Sequence, residues 1–119
     1  MPFDWAQYLE LGRELAQRSD EASLRTAISR AYYAAFCKSR ALLEQEGVVF
    51  LPDANIHTLV WEQYRQSNDS VRYYIGIDGK GLRNVRNIAD YETEFVDLPA
   101  RTRRALRKAE DILNSLARL

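Results

Sequence analysis

The stretch from Asp20 to Gly47 constrains the fold more than any other part of this sequence. Either Ser19 or Asp20 can cap the exposed amides at its start, and Gly47 can adopt the left-handed conformation that ends a helix. Two neighbouring apolar stripes run between these caps, one of Leu24, Ile28, Ala31, Ala35 and Leu42, the other of Tyr32, Phe36 and Leu43. A helix that is apolar on several sides must pack against several neighbours. We therefore predict a long central helix.

Three amphipathic segments predict further helices around it. The first follows Asp4 and ends near Ser19, and the third enters after Pro52 with Asp53 as its cap. The last begins at Asp97 and Pro99, and its apolar face carries Leu106, Ala109, Leu113 and Leu116. With one more helix described below, the fold class is all-α, an up-and-down bundle of about five helices. At 119 residues, the chain 1–119 is expected to be a single domain.

The segment between the third and last helices is rich in glycine. Polar residues at 66–70 end the third helix, and Gly76, Gly79 and Gly81 crowd the positions that follow. We expect a flexible or kinked loop over Gly76–Gly81 and a fourth helix from about Gly81 to Tyr91. Its apolar face would carry Leu82, Val85 and Ala89, and its polar face Arg83, Arg86, Asn87 and Asp90.

The composition excludes several kinds of chemistry. The 17 basic and 17 acidic side chains give a formal net charge of +0, so any contact with nucleic acid must be local. One cysteine, Cys37, and one histidine, His57, cannot supply a structural zinc site. The glycines at 76–81 match neither the Walker nor the dinucleotide fingerprint. We predict no metal and no cofactor, and a Cys37 thiol that packs as a small apolar group.

The same inventory gives an expectation for the cellular setting. No stretch approaches the roughly 18 apolar residues of a membrane span, and no charged leader precedes an apolar run. A single cysteine excludes an internal disulfide and fits a reducing compartment. We expect a cytoplasmic protein without a membrane partner.

Two segments together resemble a known family. Residues 29–36 read Ser-Arg-Ala-Tyr-Tyr-Ala-Ala-Phe, and residues 83–91 contain an Arg-Asn pair followed shortly by Ala-Asp-Tyr. With the order of helices, they resemble the HEPN family over nearly the whole chain. The resemblance implies a homodimer with the late arginine motif near the subunit interface. It also implies RNA-related work, often in toxin-antitoxin or defence systems with a nucleotidyltransferase partner.

The sequence departs from this family where its ribonucleases act. Those metal-independent enzymes place a histidine after an arginine with four to six residues between. The corresponding positions after Arg86 hold Tyr91, Glu92 and Thr93, and those after Arg83 hold Ile88, Ala89 and Asp90. A phenol, with a reference pKa of about 10, is a poor base at neutral pH. His57 could substitute only if the fold or a second subunit brought it beside Arg86.

We therefore predict no catalytic residue, and we keep Arg86, Tyr91 and His57 as weak candidates. The alternative for His57 is a hydrogen-bonded or solvated place at the start of the third helix, which is the interpretation we adopt. The predicted ligand or interface residues are Arg30, Tyr33, Arg83, Arg86, Asn87, Asp90 and Tyr91. The alternative for the polar face is a simple surface pair between Arg86 and Asp90.

The last helix carries a basic cluster, which we interpret as a solvated face more readily than as an RNA contact: Arg101, Arg103, Arg104, Arg107 and Lys108. The functional prediction is a non-catalytic HEPN-like module that binds RNA or protein. One alternative is a metal-independent ribonuclease toxin with a non-standard base. Another is a structural subunit that binds a nucleotidyltransferase-like partner.

Overall fold

A computed structural model describes residues 2–52 and 54–119 of the chain. These residues form helices and no strand. The helices are α1 (Gln7–Ala16), α2 (Glu21–Gln45), α3 (Ile56–Arg65), α4 (Ser70–Tyr91) and α5 (Leu98–Ala117). The predicted all-α bundle of five helices is confirmed. None of the helices combines the length and the apolar character needed to cross a membrane, as far as the described residues go.

The central helix, α2, forms as its caps predict. The Asp20 carboxylate accepts a hydrogen bond from the Ser23 backbone N–H at 3.0 Å, and Gly47 has a φ of +95°. Ala31, Tyr32 and Ala35 on its two stripes are fully buried. α2 packs against each of the other four helices, so the predicted position at the centre of the core is confirmed.

Contacts at the two ends of α2 show the directions of the outer helices. Arg25 near its start donates to the Ala89 carbonyl near the end of α4, and Glu46 after its end pairs with Arg72 near the start of α4. α4 is therefore antiparallel to α2. Lys38 and Asp4 pair at 3.0 Å, which makes α1 antiparallel as well. α5 follows the direction of α2, so α1, α2, α4 and α5 alternate as in an up-and-down bundle.

The short helix α3 lies beside the second half of α2 and runs parallel to it. The side chains of Tyr32 and His57 meet, and further along the Tyr64 hydroxyl donates to the Ser39 carbonyl at 2.7 Å. α3 thus begins beside the middle of α2. The Asn55 side chain accepts from the Thr58 N–H and caps α3, whereas the predicted cap, Asp53, lies outside the described residues.

The predicted loop over Gly76–Gly81 is wrong, because these residues lie inside α4. The helix begins at Ser70, with Asp69 as its cap, and not near Gly81. A Cβ at Gly76 would lie 2.7 Å from the Arg65 backbone nitrogen, and one at Gly79 would overlap the Trp61 ring. The first two glycines therefore let α3 and α4 approach closely, which is a packing role and not a turn.

The first and last helices differ from their predictions only in detail. α1 is shorter than predicted at both ends, since residues 4–6 form a turn and Ser19 has a φ of +67°. α5 begins after Asp97, with Pro99 in its first turn as predicted. Its buried face carries Leu98, Thr102, Ala105, Ala109 and Ile112, while Leu106, Leu113 and Leu116 are half-buried beside it.

Candidate functional site

Side chains from three helices meet in one place, which we call the arginine cluster: Tyr32, Tyr33, His57, Arg83 and Arg86. Tyr32 and Tyr33 come from α2, His57 from the first turn of α3, and both arginines from α4. Arg83 and Arg86 lie three residues apart and so share one face of the helix. That face of α4 contacts α2 through Arg86 and α3 through Arg83.

Arg86 is a buried cation, only 5% exposed. Its guanidinium carbon lies 5.0 Å from the centre of the Tyr32 ring and 5.3 Å from that of Tyr33, within the range of a cation–π contact. Its Nη1 lies 3.6 Å from Oδ2 of Asp90. The alternative of a simple surface pair is therefore wrong: the two residues do pair, but the arginine is covered by α2.

The Asp90 carboxylate also faces α2. Its Oδ2 accepts a hydrogen bond from the Ser29 hydroxyl at 3.3 Å. The side chain is 26% exposed, so solvent screens the pair with Arg86 from one side. Asp90 therefore supplies a partial counter-charge to Arg86.

The second arginine, Arg83, connects α4 to α3. Its Nη1 donates to the Thr58 hydroxyl at 3.0 Å. The Nε atoms of Arg83 and Arg86 are both buried and have no hydrogen-bond partner among the described residues. The Nε atoms of Arg40 and Arg65 share this feature, so it is not specific to the cluster.

His57 is held by a chain of two hydrogen bonds. The Trp61 indole N–H donates to the Tyr32 hydroxyl oxygen at 3.1 Å, and that oxygen lies 2.7 Å from Nδ1 of His57. The histidine ring also stacks on Phe36, with 4.2 Å between ring centres. This confirms the interpretation of His57 as a hydrogen-bonded residue at the start of α3.

Burial and three arginines disfavour the protonated form of His57. Burial first, and then the positive charges of Arg83, Arg86 and Arg40, lower its pKa to about 4. The ring is therefore neutral at pH 7. A neutral ring accepts the Tyr32 hydroxyl hydrogen at Nδ1 and carries its own hydrogen at Nε2.

The two titratable groups of this hydrogen-bond chain, His57 and Tyr32, are poorly suited to proton transfer near neutral pH. Burial raises the pKa of Tyr32 to about 12, although the Trp61 hydrogen bond and the charges of Arg83 and Arg86 oppose it. His57 titrates far below neutrality and Tyr32 far above it. A general acid or base works best with a pKa near the operating pH. Neither group is therefore matched to proton transfer at pH 7.

The other predicted site residues are placed differently. Arg30 lies beside the cluster, with its guanidinium carbon 4.7 Å from the Tyr8 ring centre and 5.1 Å from that of Tyr33. Asn87 is half-buried on α4. Tyr91, the last residue of α4, is 76% exposed and lies outside the cluster. His57 and Arg86 both approach the Tyr32 ring, yet no hydrogen bond joins them directly.

Sequence reasoning did not assign Tyr32, Phe36 and Trp61 to the site. Tyr32 and Phe36 follow the apolar stripe of α2, which made them core residues in the prediction. The Tyr32 hydroxyl becomes a site atom only because α3 brings Trp61 and His57 to it. Cys37 is half-buried, and burial raises the pKa of its thiol, as expected for a packed and unreactive side chain.

No protein-family model matches this chain, and neither a curated protein nor a solved structure does. The HEPN resemblance thus stays a prediction from residues 29–36 and 83–91.

Proposed function

We propose that this protein is a non-catalytic HEPN-like module that binds RNA phosphates at the arginine cluster. The observation that carries the proposal is the position of the half-buried Arg83 beside the buried Arg86 and a neutral histidine. A guanidinium offers several donors in one plane and suits the geometry of phosphate oxygens. Asp90 offsets only part of this charge, because it pairs with Arg86 at 3.6 Å and is shared with Ser29.

The aromatic side chains beside the arginines support a nucleic-acid ligand over a simple anion. Tyr33 is half-buried and lies against both the half-buried Arg30 and the buried Arg86, so the accessible part of the cluster combines aromatic and cationic side chains. Single-stranded RNA is commonly held by basic side chains on its phosphates and by aromatic rings on its bases. A chain with a formal net charge of +0 needs such a local site.

The first test measures RNA binding. A fluorescein-labelled single-stranded RNA is titrated with wild type, Arg83→Gln and Arg30→Gln in an anisotropy assay at several salt concentrations. Each phosphate contact contributes about 0.7 to the salt-dependence slope for single strands, so Arg83→Gln is expected to lower both the affinity and that slope. The matched control is Arg103→Gln, at an exposed position of α5. Unchanged binding by Arg83→Gln, or an equal loss in the control, would refute the proposal.

A metal-independent ribonuclease is the second candidate, because His57 and Arg86 approach the same tyrosine ring. We place it second since His57, with a pKa of about 4, is a weak base. The two candidates separate in an RNA cleavage assay with EDTA. The non-catalytic module leaves the RNA intact. Cleavage that His57→Asn abolishes would replace the binding module with the enzyme.

The proposal includes the assembly implied by the resemblance: a cytoplasmic homodimer in a toxin-antitoxin or defence system. Light scattering after size exclusion should then give about twice the monomer mass of 13.8 kDa. A structural subunit for a nucleotidyltransferase-like partner is the third candidate. It would be supported by co-purification with such a partner together with no RNA binding by either component of the pair.

A further inference from the structure

A groove of about 340 Å³ lies between α4 and α5. Leu82, Val85 and Ala105 contribute to its apolar surface, and Ile77 lies at its edge, 38% exposed. At about 100° per residue, the α4 residues of the groove centre about 140° from Arg83 and Arg86, and Leu82, one turn before Arg86, lies at the boundary. No residue of the arginine cluster lines the groove.

Gly81 lies in this groove and lacks a packing reason to be glycine. A Cβ added there would have nothing within 4 Å, in contrast to Gly76 and Gly79, which are pressed against α3. A glycine in the interior of a helix costs about 1 kcal/mol relative to alanine. At Gly81 the absence of a side chain leaves space in the groove.

Basic side chains of α5 line the other side of the groove, and two of them, Arg101 and Arg104, have no ion pair among the described residues. Lys108 pairs with Asp78 at 3.5 Å, and Arg101 lies over the Phe95 ring at 4.8 Å. Arg104 lies between them along α5, is exposed, and has no ion pair or hydrogen bond within residues 2–52 and 54–119. The groove therefore combines an apolar surface with two arginines that have no carboxylate partner among the described residues.

We propose that this groove binds a small amphiphilic anion, with its apolar body over Gly81, Leu82 and Val85 and its charged group at Arg104. Ligand sites of proteins usually measure about 300–1,000 Å³, so the groove suits a small molecule. The two unpaired arginines lie one turn apart and favour a single anionic head group, and the short apolar surface beside them favours a small ligand over a long acidic peptide. The proposal does not depend on RNA binding, which uses the other side of α4.

The binding test uses dodecanoate, a single carboxylate on a linear alkyl chain, below its micelle concentration. Backbone amide signals of ¹⁵N-labelled protein are followed during the titration. We expect saturable shifts in residues 77–85 and 101–108. Dodecyltrimethylammonium, with the same alkyl chain and the opposite charge, is the control. Equal binding of the two compounds, shifts elsewhere, or no saturable shift would overturn the proposal.

Two pairs of variants localise the ligand. Gly81→Leu fills the groove without meeting another residue at its Cβ, and Arg104→Gln removes the unpaired charge proposed to hold the head group. Each variant should weaken dodecanoate binding by about tenfold or more. Arg104→Gln loses a charge-assisted contact, and Gly81→Leu occupies the space of the alkyl chain. Gly81→Ala and Arg103→Gln are the controls, with at most about a threefold change. Wild-type affinity in Gly81→Leu or Arg104→Gln would contradict the assigned site, and intact amide spectra would show that both variants fold.

Discussion

At the scale of single residues, the hydrogen bonds from Trp61 through Tyr32 to His57 determine the chemistry of the arginine cluster. Tyr32 is fully buried, so its hydroxyl needs partners inside the protein. The indole can only donate, which leaves the hydroxyl hydrogen for Nδ1 of His57. The cluster therefore holds a neutral imidazole in one tautomer, and its positive charge comes from the arginines alone.

We predict that His57 titrates near pH 4, well below the reference value of 6.5. Burial and the charges of Arg83 and Arg86 disfavour the protonated ring. The chain has a single histidine, so an NMR titration of a tag-free sample gives one imidazole signal to follow. A midpoint near 6.5 would mean that the ring is solvated and that the hydrogen bond to Tyr32 is not formed.

The same shift predicts a pH dependence of stability. The unfolded chain binds a proton at His57 below about pH 6.5, whereas the folded chain binds it only below about 4. The free energy of unfolding should therefore rise with pH between about 4 and 6.5. Asp4 and Asp20 have pKa values lowered from 3.8 by hydrogen bonds, so they act at lower pH. In urea unfolding, the free energy of unfolding of His57→Asn should rise less over this pH interval than that of wild type. An equal rise in the two proteins would mean that another group causes the pH dependence.

At the scale of helices, the sequence predicts α2 and α5 well and α4 poorly. The limits of α2 follow from local capping by Asp20 and Gly47, whose effect does not depend on the rest of the fold. Closely spaced glycines such as Gly76 and Gly79 are typical of a loop. Their role here is determined by contacts with Trp61 and Arg65 on another helix. No local pattern distinguishes a glycine that breaks a helix from one that lets two helices touch.

The glycines of α4 give a prediction with a built-in control. Gly79→Ala should lower the free energy of unfolding by about 1–3 kcal/mol, because the added methyl overlaps the Trp61 ring. Gly81→Ala, two residues away in open space, should raise it by up to about 1 kcal/mol. Urea denaturation measures both. If Gly79→Ala were as stable as Gly81→Ala, α3 and α4 would not be in contact at this point.

At the scale of the whole molecule, the direction of α3 creates the candidate site. The two segments that resemble HEPN motifs are predictable as helices, and their meeting follows from the antiparallel pairing of α2 and α4. The position of His57 in the site is not predictable in this way, because the sequence before α3 does not determine the direction in which α3 packs against α2. The arginines and Tyr33 were predicted for the site, whereas the hydrogen-bonded Tyr32 and His57 depend on long-range packing.

Arg25 ties the first half of α2 to the end of α4. Its guanidinium donates to the carbonyl oxygens of Ala89 at 3.1 Å, Glu92 at 2.6 Å and Thr93 at 3.0 Å. The last carbonyls of a helix lack partners within it and carry partial negative charge, so a cation there satisfies both needs. This contact also fixes where the chain leaves α4 for α5.

We expect Arg25→Met, which keeps much of the side-chain length, to lower the free energy of unfolding by about 1.5–3 kcal/mol. The loss should be local at first, with faster amide hydrogen exchange at residues 88–93 than in wild type, because the end of α4 loses its anchor. Arg103→Met, at an exposed position of α5, is the matched control and should change the free energy of unfolding by less than about 0.5 kcal/mol. Equal stability of the two variants, with unchanged exchange at the end of α4, would show that the antiparallel pair of α2 and α4 is held by apolar packing alone.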